Sequence, residues 1–238
     1  MAPDLKVLPE DWDPALAVVA HPDDLEYGAA AAVARWTEQG KDVHYVLATR
    51  GEAGIDSMPP ETAGLLRTAE QRASAAVVGV STVEFLDHPD GLVVNGVELR
   101  RDLAATIRRH RPEVIIGLNY RRRWAPGGPW NHVDHRELGE ALPDAVRDAA
   151  NRWLFPEVGE PWAGVRWIAY ASSTAPTHGV DVTDSFPAGV ASLECHRTYL
   201  DALDDPGSDP EGLLRPPAES AGARLGVELA VSFELVPA

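Results

Sequence analysis

Cysteine is nearly absent from this chain, with one residue, Cys195, among 238. A single thiol excludes an internal disulfide and any zinc site built mainly from thiolates, and it is compatible with a reducing compartment. If the protein binds a metal ion, His and carboxylate side chains must therefore hold it.

The sequence also lacks any apolar run close to the roughly 20 residues that a bilayer span needs. Residues 1–14 are acidic and contain proline, whereas a signal peptide begins basic and then turns apolar. Basic side chains are few, with 21 Lys and Arg against 37 Asp and Glu and a formal net charge of -16. Because such a surface repels phosphate backbones and anionic headgroups, we expect a cytoplasmic protein that binds neither nucleic acid nor membrane.

Three motifs of catalytic or cofactor-binding loops are missing as well: Gly-x-Gly-x-x-Gly, Gly-x-x-x-x-Gly-Lys and Gly-x-Ser-x-Gly. We therefore expect neither a nucleotide cofactor nor a serine nucleophile of the α/β-hydrolase type. Cys195 and its neighbour His196 do not form a nucleophile–base pair, because adjacent residues on a helix point about 100° apart.

The chain does contain an alternation of short apolar runs with amphipathic segments. In chain order the predicted elements are a strand at 15–20, a helix at 25–39, a strand at 43–49, a helix at 60–79, a strand at 83–86, a helix at 98–110 and a strand at 114–118. Apolar strands joined to helices by short connections predict an α/β fold with an open, mostly parallel sheet and helices on both faces.

Beyond residue 118 the pattern is weaker. The predicted elements there are a helix at 132–152, strands at 167–171 and 180–182, a helix at 187–203 and an edge strand at 227–236. Pro143 is expected to kink or break its helix, and residues 204–222, rich in Asp, Pro, Gly and Ser, are predicted to form a mobile loop or lid. With no internal repeat or linker, we expect a single domain over 1–238 with its core at about 15–200.

Two short clusters of His and Asp each follow a predicted strand: HPDD at 21–24 and HVDH at 132–135. Either cluster alone could be an N-terminal helix cap, since carboxylates there are favoured by the helix dipole. In a doubly wound sheet, however, the loops after strands one and four flank the crevice where the strand order reverses. We therefore expect both clusters to converge there on a catalytic zinc, with surplus side chains left for acid and base catalysis.

The same segments carry a resemblance to a known family. The succession of AHPDD at 20–24, TRGEAG at 49–54, RTAE at 67–70, PDG at 89–91 and HVDH at 132–135 resembles the LmbE-like (PIG-L) family of zinc-dependent de-N-acetylases. The match covers residues 15 to 140, and His196 lies in a degraded version of a His-x-Ser-Gln turn that many members carry. The resemblance implies a Rossmann-like fold.

The resemblance also assigns roles to single residues. It implies that His21, Asp24 and His135 hold the zinc ion, that Asp23 is the general base, and that His132 stabilises the oxyanion. Arg67 and Asp90 are implied to contact the substrate.

Further expectations come from the residues around the second cluster. Asp134 is expected to keep His132 protonated, so that the imidazolium can donate to an oxyanion. Trp130, together with Trp124 and the run Arg121–Arg123, is expected to stack on or pair with a sugar-like or anionic substrate. Packing of the loop and a solvated run of charge are the alternatives.

These expectations describe a metal-dependent hydrolase that removes an N-acyl group, above all acetyl, from an amino-sugar-containing small molecule by attack of zinc-activated water. The alternative enzyme is an amidase acting on a thiol–sugar conjugate or a specialised metabolite. Outside enzymes, the alternative is a non-catalytic module that binds metal or sugar. The sequence leaves open whether Fe²⁺ replaces Zn²⁺ in the cell and whether the chain forms a homo-oligomer.

Overall fold

The structure is a computed structural model that describes residues 4–125, 127–203 and 209–238. Its strands are β1 Lys6–Val7, β2 Ala15–Val19, β3 Val43–Leu47, β4 Thr82–Phe85, β5 Val114–Leu118, β6 Trp167–Ala171, β7 His178–Asp181 and β8 Ala230–Pro237. Its helices are α1 Asp24–Gly28, α2 Ala30–Glu38, α3 Pro60–Val77, α4 Val97–His110, α5 Val133–Ala150, α6 Phe186–Glu194, α7 Arg197–Ala202 and α8 Pro210–Leu225, with a short 3-10 helix at Pro156–Val158.

All of these strands belong to one sheet with the order β1-β7-β8-β6-β5-β2-β3-β4. The five strands from β4 to β6 pair in parallel, and β8 lies antiparallel between β6 and β7. From β2 the chain moves outward to β4 and then restarts with β5 on the other side of β2. This confirms the predicted α/β fold with a mostly parallel open sheet and places the reversal of strand order between β2 and β5.

Helices cover both faces of the sheet, and the central strand shows why. In β2, Ala15, Ala17 and Val19 pack into a core that includes α2, while the alternate residues Leu16 and Val18 pack into a second core with α4 and α5. A strand buried on both faces must be apolar at every position, which is the continuous run that the sequence shows.

Two predictions at the carboxyl end of the chain need correction. The strand predicted at 227–236 is present as β8, but it is an interior strand and not an edge strand, because alternating apolar and polar residues indicate that the two faces of a strand differ and not that one edge is unpaired. Most of the loop predicted at 204–222 is helix α8, which begins at an Asp209 cap and ends at Gly226 in the left-handed conformation. Residues 204–208 lie outside the described residues.

Other differences concern helix ends and breaks. The helices predicted at 25–39 and 187–203 are each divided in two, whereas α5 continues through Pro143 without a break. The short strand β1 was not predicted. No helix in the described ranges combines the length and apolar character that a membrane span requires.

Candidate metal centre

The two His/Asp clusters lie next to each other in space. Residues 21–24 leave the carboxyl end of β2 and enter α1, and His132 is the N-cap of α5, at the end of the loop that follows β5. Because β2 and β5 are paired in parallel, both loops leave the same edge of the sheet. The ring centroids of His21 and His135 are 5.0 Å apart, so the sequence correctly predicted the convergence of the clusters.

Donor atoms of three residues, His21, Asp24 and His135, meet at this point. The distances are 3.1 Å between His21 Nδ1 and His135 Nε2, 3.0 Å between His135 Nε2 and Asp24 Oδ1, and 3.7 Å between His21 Nδ1 and Asp24 Oδ2. Ligand bonds of about 2.0–2.2 Å place two ligands of a tetrahedral zinc ion about 3.4 Å apart. The spacing and the donor types therefore fit a shared divalent metal ion.

Hydrogen bonds fix the tautomer of both imidazoles. His21 Nε2 lies 3.1 Å from Asp134 Oδ2 and 3.1 Å from Asp90 Oδ1, and both carboxylates accept its hydrogen. His135 Nδ1 lies 2.9 Å from Asn131 Oδ1, whose amide nitrogen donates to backbone carbonyls. Since the outer nitrogen of each ring carries the hydrogen, the lone pairs of His21 Nδ1 and His135 Nε2 face the position of the metal.

The charges of the cluster are strongly coupled. Burial opposes ionisation of Asp24, but the imidazoles of His135 and His21 outweigh it and hold the pKa of Asp24 well below its usual range. Burial likewise disfavours the imidazolium of His21, yet its carboxylate neighbours Asp134, Asp24 and Asp90 raise its pKa well above the usual value. A cluster with this excess of negative charge suits a bound cation.

A second group of side chains, His21, His132 and Asp134, also lies close enough to hold an ion. The Asp134 carboxylate already accepts hydrogen bonds from the backbone N–H groups of Gly91 at 2.7 Å and Val93 at 3.1 Å, besides its contact with His21. His132 Nδ1 accepts from the backbone N–H of Asp134 at 3.3 Å. Because these lone pairs are engaged, the group of His21, Asp24 and His135 is better suited to a metal ion.

This geometry corrects the expectation that Asp134 keeps His132 protonated. The carboxylate of Asp134 contacts His21, and burial together with the nearby His21 holds the pKa of His132 below its ordinary value. Residues two apart at a helix start do not face each other, which is why sequence proximity was misleading here.

Asp23 lies beside the metal position without belonging to its donor set. Its backbone is in the left-handed region, with φ of 85°, and its N–H donates to Gln71 Oε1 at 2.9 Å. Arg67 Nη2 donates to Asp23 Oδ2 at 3.0 Å. Burial raises the pKa of Asp23 to about 6, although the charge of Arg67 opposes the shift.

Arg67 and Asp90 were expected to contact substrate, and both line the cavity beside the cluster. Their polar atoms also hold the site together: Arg67 donates to Pro22 O at 2.7 Å and Gly51 O at 3.0 Å, besides Asp23. Asp90 Oδ2 accepts from the backbone N–H of Ala53 at 2.8 Å. These contacts give both side chains a positioning role that the sequence did not predict.

The cavity has a volume of about 570 Å³. It is lined by His21, Asp23, Asp24, Tyr27, Gly54, Arg67, Asp90, Leu118, Trp124, His132, His135, Ser172 and Tyr199. Trp130 is not among these residues; it is 59% exposed and lies under Arg123 and Arg136. Of the two tryptophans expected at the substrate, only Trp124 lines the cavity, with its ring centroid 5.2 Å from that of His135.

Sequence reasoning missed two tyrosines of this wall. Tyr27 lies on α1 three residues after Asp24, a spacing that brings two side chains to one helix face. Tyr199 comes from α7, and the guanidinium of Arg67 stacks over its ring at 4.0 Å. Arg121, which was grouped with the tryptophans, instead pairs with Glu234.

The Arg67 side chain leaves no room for a side chain at position 51, and this can be tested. Gly51 has φ of 64°, and a Cβ there would lie 2.2 Å from Arg67 Nη1, so Gly51→Ala should displace the guanidinium from Asp23. Gly40→Ala is the matched control, because Gly40 has φ of 85° and a Cβ there would meet nothing within 4 Å. In urea unfolding we expect Gly40→Ala to cost about 1–2 kcal/mol and Gly51→Ala about 1–3 kcal/mol more. Equal losses of stability would contradict this role of Gly51.

Comparison with known proteins adds independent findings. The family model described as PIG-L, GlcNAc-PI de-N-acetylase, matches residues 16–146. A diacetylchitobiose deacetylase of Thermococcus kodakarensis is 26% identical over 191 residues, which cover 78% of this chain and 69% of that protein. A 1D-myo-inositol 2-acetamido-2-deoxy-alpha-D-glucopyranoside deacetylase of Kineococcus radiotolerans is 31% identical, with 78% of this chain and 68% of that protein covered.

A solved structure agrees with these sequence matches. The N,N'-diacetylchitobiose deacetylase of Pyrococcus horikoshii has a TM-score of 0.86 to this chain at 25% identity, covering 96% of this chain and 85% of its own. The similarity therefore extends over nearly the whole chain.

Proposed function

The chain belongs to the PIG-L family of GlcNAc-PI de-N-acetylases, and from this premise we propose that it is a zinc-dependent hydrolase that removes an N-acetyl group from an acetamido sugar. Relatives named as deacetylases of acetamido sugars support the reaction type. The observation that carries the proposal is the cluster of His21, Asp24 and His135 with the unligated carboxylate of Asp23 in the same cavity. A module that only binds metal or sugar has no need of that carboxylate, so this alternative is not favoured.

We assign His21, Asp24 and His135 as the metal ligands. A zinc ion held by them would supply a Lewis acid for the amide carbonyl and would lower the pKa of a water molecule at its open position to about 7. The second nitrogens of both imidazoles are anchored to Asp134, Asp90 and Asn131, which keeps the donor atoms in place before the ion binds.

We assign Asp23 as the general base. Arg67 holds its Oδ2, so Oδ1 is the atom that accepts a proton from the attacking water. A pKa raised to about 6 by burial makes the carboxylate a base matched to neutral pH. When the C–N bond breaks, Asp23 returns this proton to the sugar nitrogen, and the products are acetate and the free amine.

We assign His132 as the donor to the oxyanion. Because His132 Nδ1 accepts the N–H of Asp134 at the helix cap, the neutral ring carries its hydrogen on Nε2. A neutral imidazole can therefore donate to the carbonyl oxygen as negative charge develops there, and no imidazolium is needed. This assignment agrees with a pKa of His132 below the ordinary value.

We further propose that the substrate is a small N-acetylated amino-sugar derivative bound near Arg67, Asp90 and Trp124. The single cysteine and the net charge of -16 support a cytoplasmic location and the absence of nucleic-acid partners. The donor set of two imidazoles and one carboxylate accepts Fe²⁺ as well as Zn²⁺, so the metal in the cell follows from availability.

An acetate-release assay tests the proposed function. We expect hydrolysis of at least one among N-acetylglucosamine, diacetylchitobiose and an N-acetylglucosaminyl inositol, its loss after chelation, and its recovery with about one equivalent of zinc. The zinc should be titrated, because excess ion can occupy the neighbouring carboxylates. Activity that survives complete removal of metal would refute the proposal, and so would a metal-loaded protein that releases no acetate from any of the three.

A further inference from the structure

A second cavity of about 500 Å³ adjoins the cavity of the metal centre. Tyr27, Trp124 and Ser172 line both cavities, so the two cavities meet at these side chains. Together their volumes exceed what an acetyl group and one sugar ring require, since pockets of about 300–1,000 Å³ hold whole drug-sized ligands.

The second cavity is mainly apolar. Helices α2, α6 and α8 and strand β8 contribute its hydrophobic walls, which include Ala30, Phe186, Leu214, Ala218, Ala230 and Val231. The floor is part of the protein core, with Ala30 and Ala230 each 1% exposed. Polar side chains line the rest of the cavity: Glu26, whose carboxylate accepts from Gln71 Nε2 at 2.9 Å, and Ser172, Ser173, Thr174, Ser220, Arg224 and Ser232. The apolar walls suit an uncharged aliphatic chain.

Arg67 and Asp90 form the polar end of the metal-centre cavity, where they contact Asp23 and His21. Trp124 lies against His135 instead and, with Tyr27 and Ser172, also lines the second cavity. Sugar hydroxyls are best solvated at the polar end. If the sugar binds at the polar end and the scissile carbonyl lies at the metal position, the acyl group attached to the carbonyl carbon faces the second cavity.

We propose that the second cavity binds the acyl chain of the substrate, and that this enzyme acts on N-acyl amino sugars whose chains are longer than acetyl, with about four to eight carbons. This inference rests on the proposed function, since it uses the same metal centre and the same bond. It differs in the substrate class that it assigns.

Two substrate series test the assignment. The first varies the acyl group of glucosamine from acetyl through butanoyl and hexanoyl to octanoyl, and the second keeps acetyl and lengthens an alkyl glycoside over the same range. We expect kcat/KM to rise about fourfold for each CH₂ of the acyl series until the cavity is filled. A kcat/KM that is highest for acetyl would overturn the proposal, and so would a rise confined to the alkyl glycosides.

Variants that fill the cavity give a second test. Ser232 on β8 and Ser220 on α8 line it, and Ala223→Phe is the control because Ala223 is exposed on the same helix and is not part of the lining. Ser232→Phe and Ser220→Phe should lower kcat/KM for the octanoyl substrate about tenfold or more and leave that for acetyl within about twofold. Because Ser220 is exposed, its variant should fold even if Ser232→Phe does not. Unchanged octanoyl hydrolysis in a folded variant would overturn the proposal.

A binding experiment separates this inference from the proposed function. Metal-free protein should bind N-octanoylglucosamine at least about tenfold more tightly than N-acetylglucosamine in calorimetry, and Ser220→Phe should remove the difference. If that preference holds but no amide is hydrolysed, the proposed function fails and the cavity assignment stands. If acetate is released with no preference for longer chains in binding or turnover, only the cavity assignment fails.

Discussion

His135→Ala is expected to leave the metal site empty and to abolish hydrolysis, whereas His132→Ala should keep its metal. His135 Nε2 lies within 3.1 Å of the donor atoms of His21 and Asp24, so its loss removes one of the three proposed ligands. In the proposed mechanism His132 donates to the oxygen on which charge develops and does not bind the metal, so its loss should lower kcat by about 10²–10³ with little change in KM. Elemental analysis of the purified variants measures the difference directly.

Thermal unfolding gives a readout that does not depend on activity. Wild type and His132→Ala should lose stability on chelation, because a metal ion that binds only the folded state stabilises it. His135→Ala should unfold at the same temperature with and without the chelator. If His132→Ala is empty and His135→Ala is loaded, the ion is held by the second group, His21, His132 and Asp134. If both variants keep their metal, neither group is the site.

The convergence of the two clusters could be predicted because it depends on strand order alone. Apolar runs at 15–20 and 114–118 identify two buried parallel strands, and the rule that ligands bind where the order reverses brings their carboxyl ends together. Residues 21–24 follow the first strand directly, and residues 132–135 follow the second after the loop 119–131. The sequence could therefore predict that His21, Asp24 and His135 meet, whereas their roles as ligands rested on the family resemblance.

The wall of the cavity could not be predicted in the same way. Trp124 and Trp130 occur in one loop, and which of them faces the metal centre depends on its path, which Asn131 fixes through bonds to Asn119 O at 2.6 Å and Arg121 O at 3.0 Å. Tyr199 reaches the wall from α7, more than 60 residues further on. Such contacts arise from tertiary packing and leave no periodic signal in the sequence.

The role of the glycines in the TRGEAG segment, residues 49–54, could not be predicted from the sequence either. A Cβ at Gly51 or Gly54 would lie within 2.4 Å of Arg67 Nη1, so both glycines make room for a guanidinium that comes from α3. The sequence shows both glycines but not the reason for them. That reason is the space needed by the Arg67 guanidinium, which donates to Asp23. The structure thus links three segments of the family resemblance to the orientation of one carboxylate.

Substitution of Asp23 is the second change for which we expect a large effect on activity. Asp23→Asn keeps the size of the side chain but removes its basicity, so kcat should fall by about 10²–10⁴ while the metal content stays near that of wild type. The variant should stay folded, because the Asn carbonyl oxygen can still accept from Arg67 and Asn tolerates the left-handed backbone at φ of 85°, but loss of the buried ion pair with Arg67 should lower its thermal stability. Stopped assays of acetate release and elemental analysis on the same preparation measure both quantities.

Asp87→Asn is the matched control for this substitution. Asp87 also has a positive φ, 61°, and also pairs with an arginine, Arg50, but its side chain is 70% exposed and lies outside the metal-centre cavity. The same chemical change there should leave kcat within about twofold, since exposed ion pairs contribute little. If Asp87→Asn is as inactive as Asp23→Asn, loss of a charge and not loss of a base explains the effect. If Asp23→Asn instead purifies without metal, Asp23 is a ligand, and its role must be exchanged with that of Asp24.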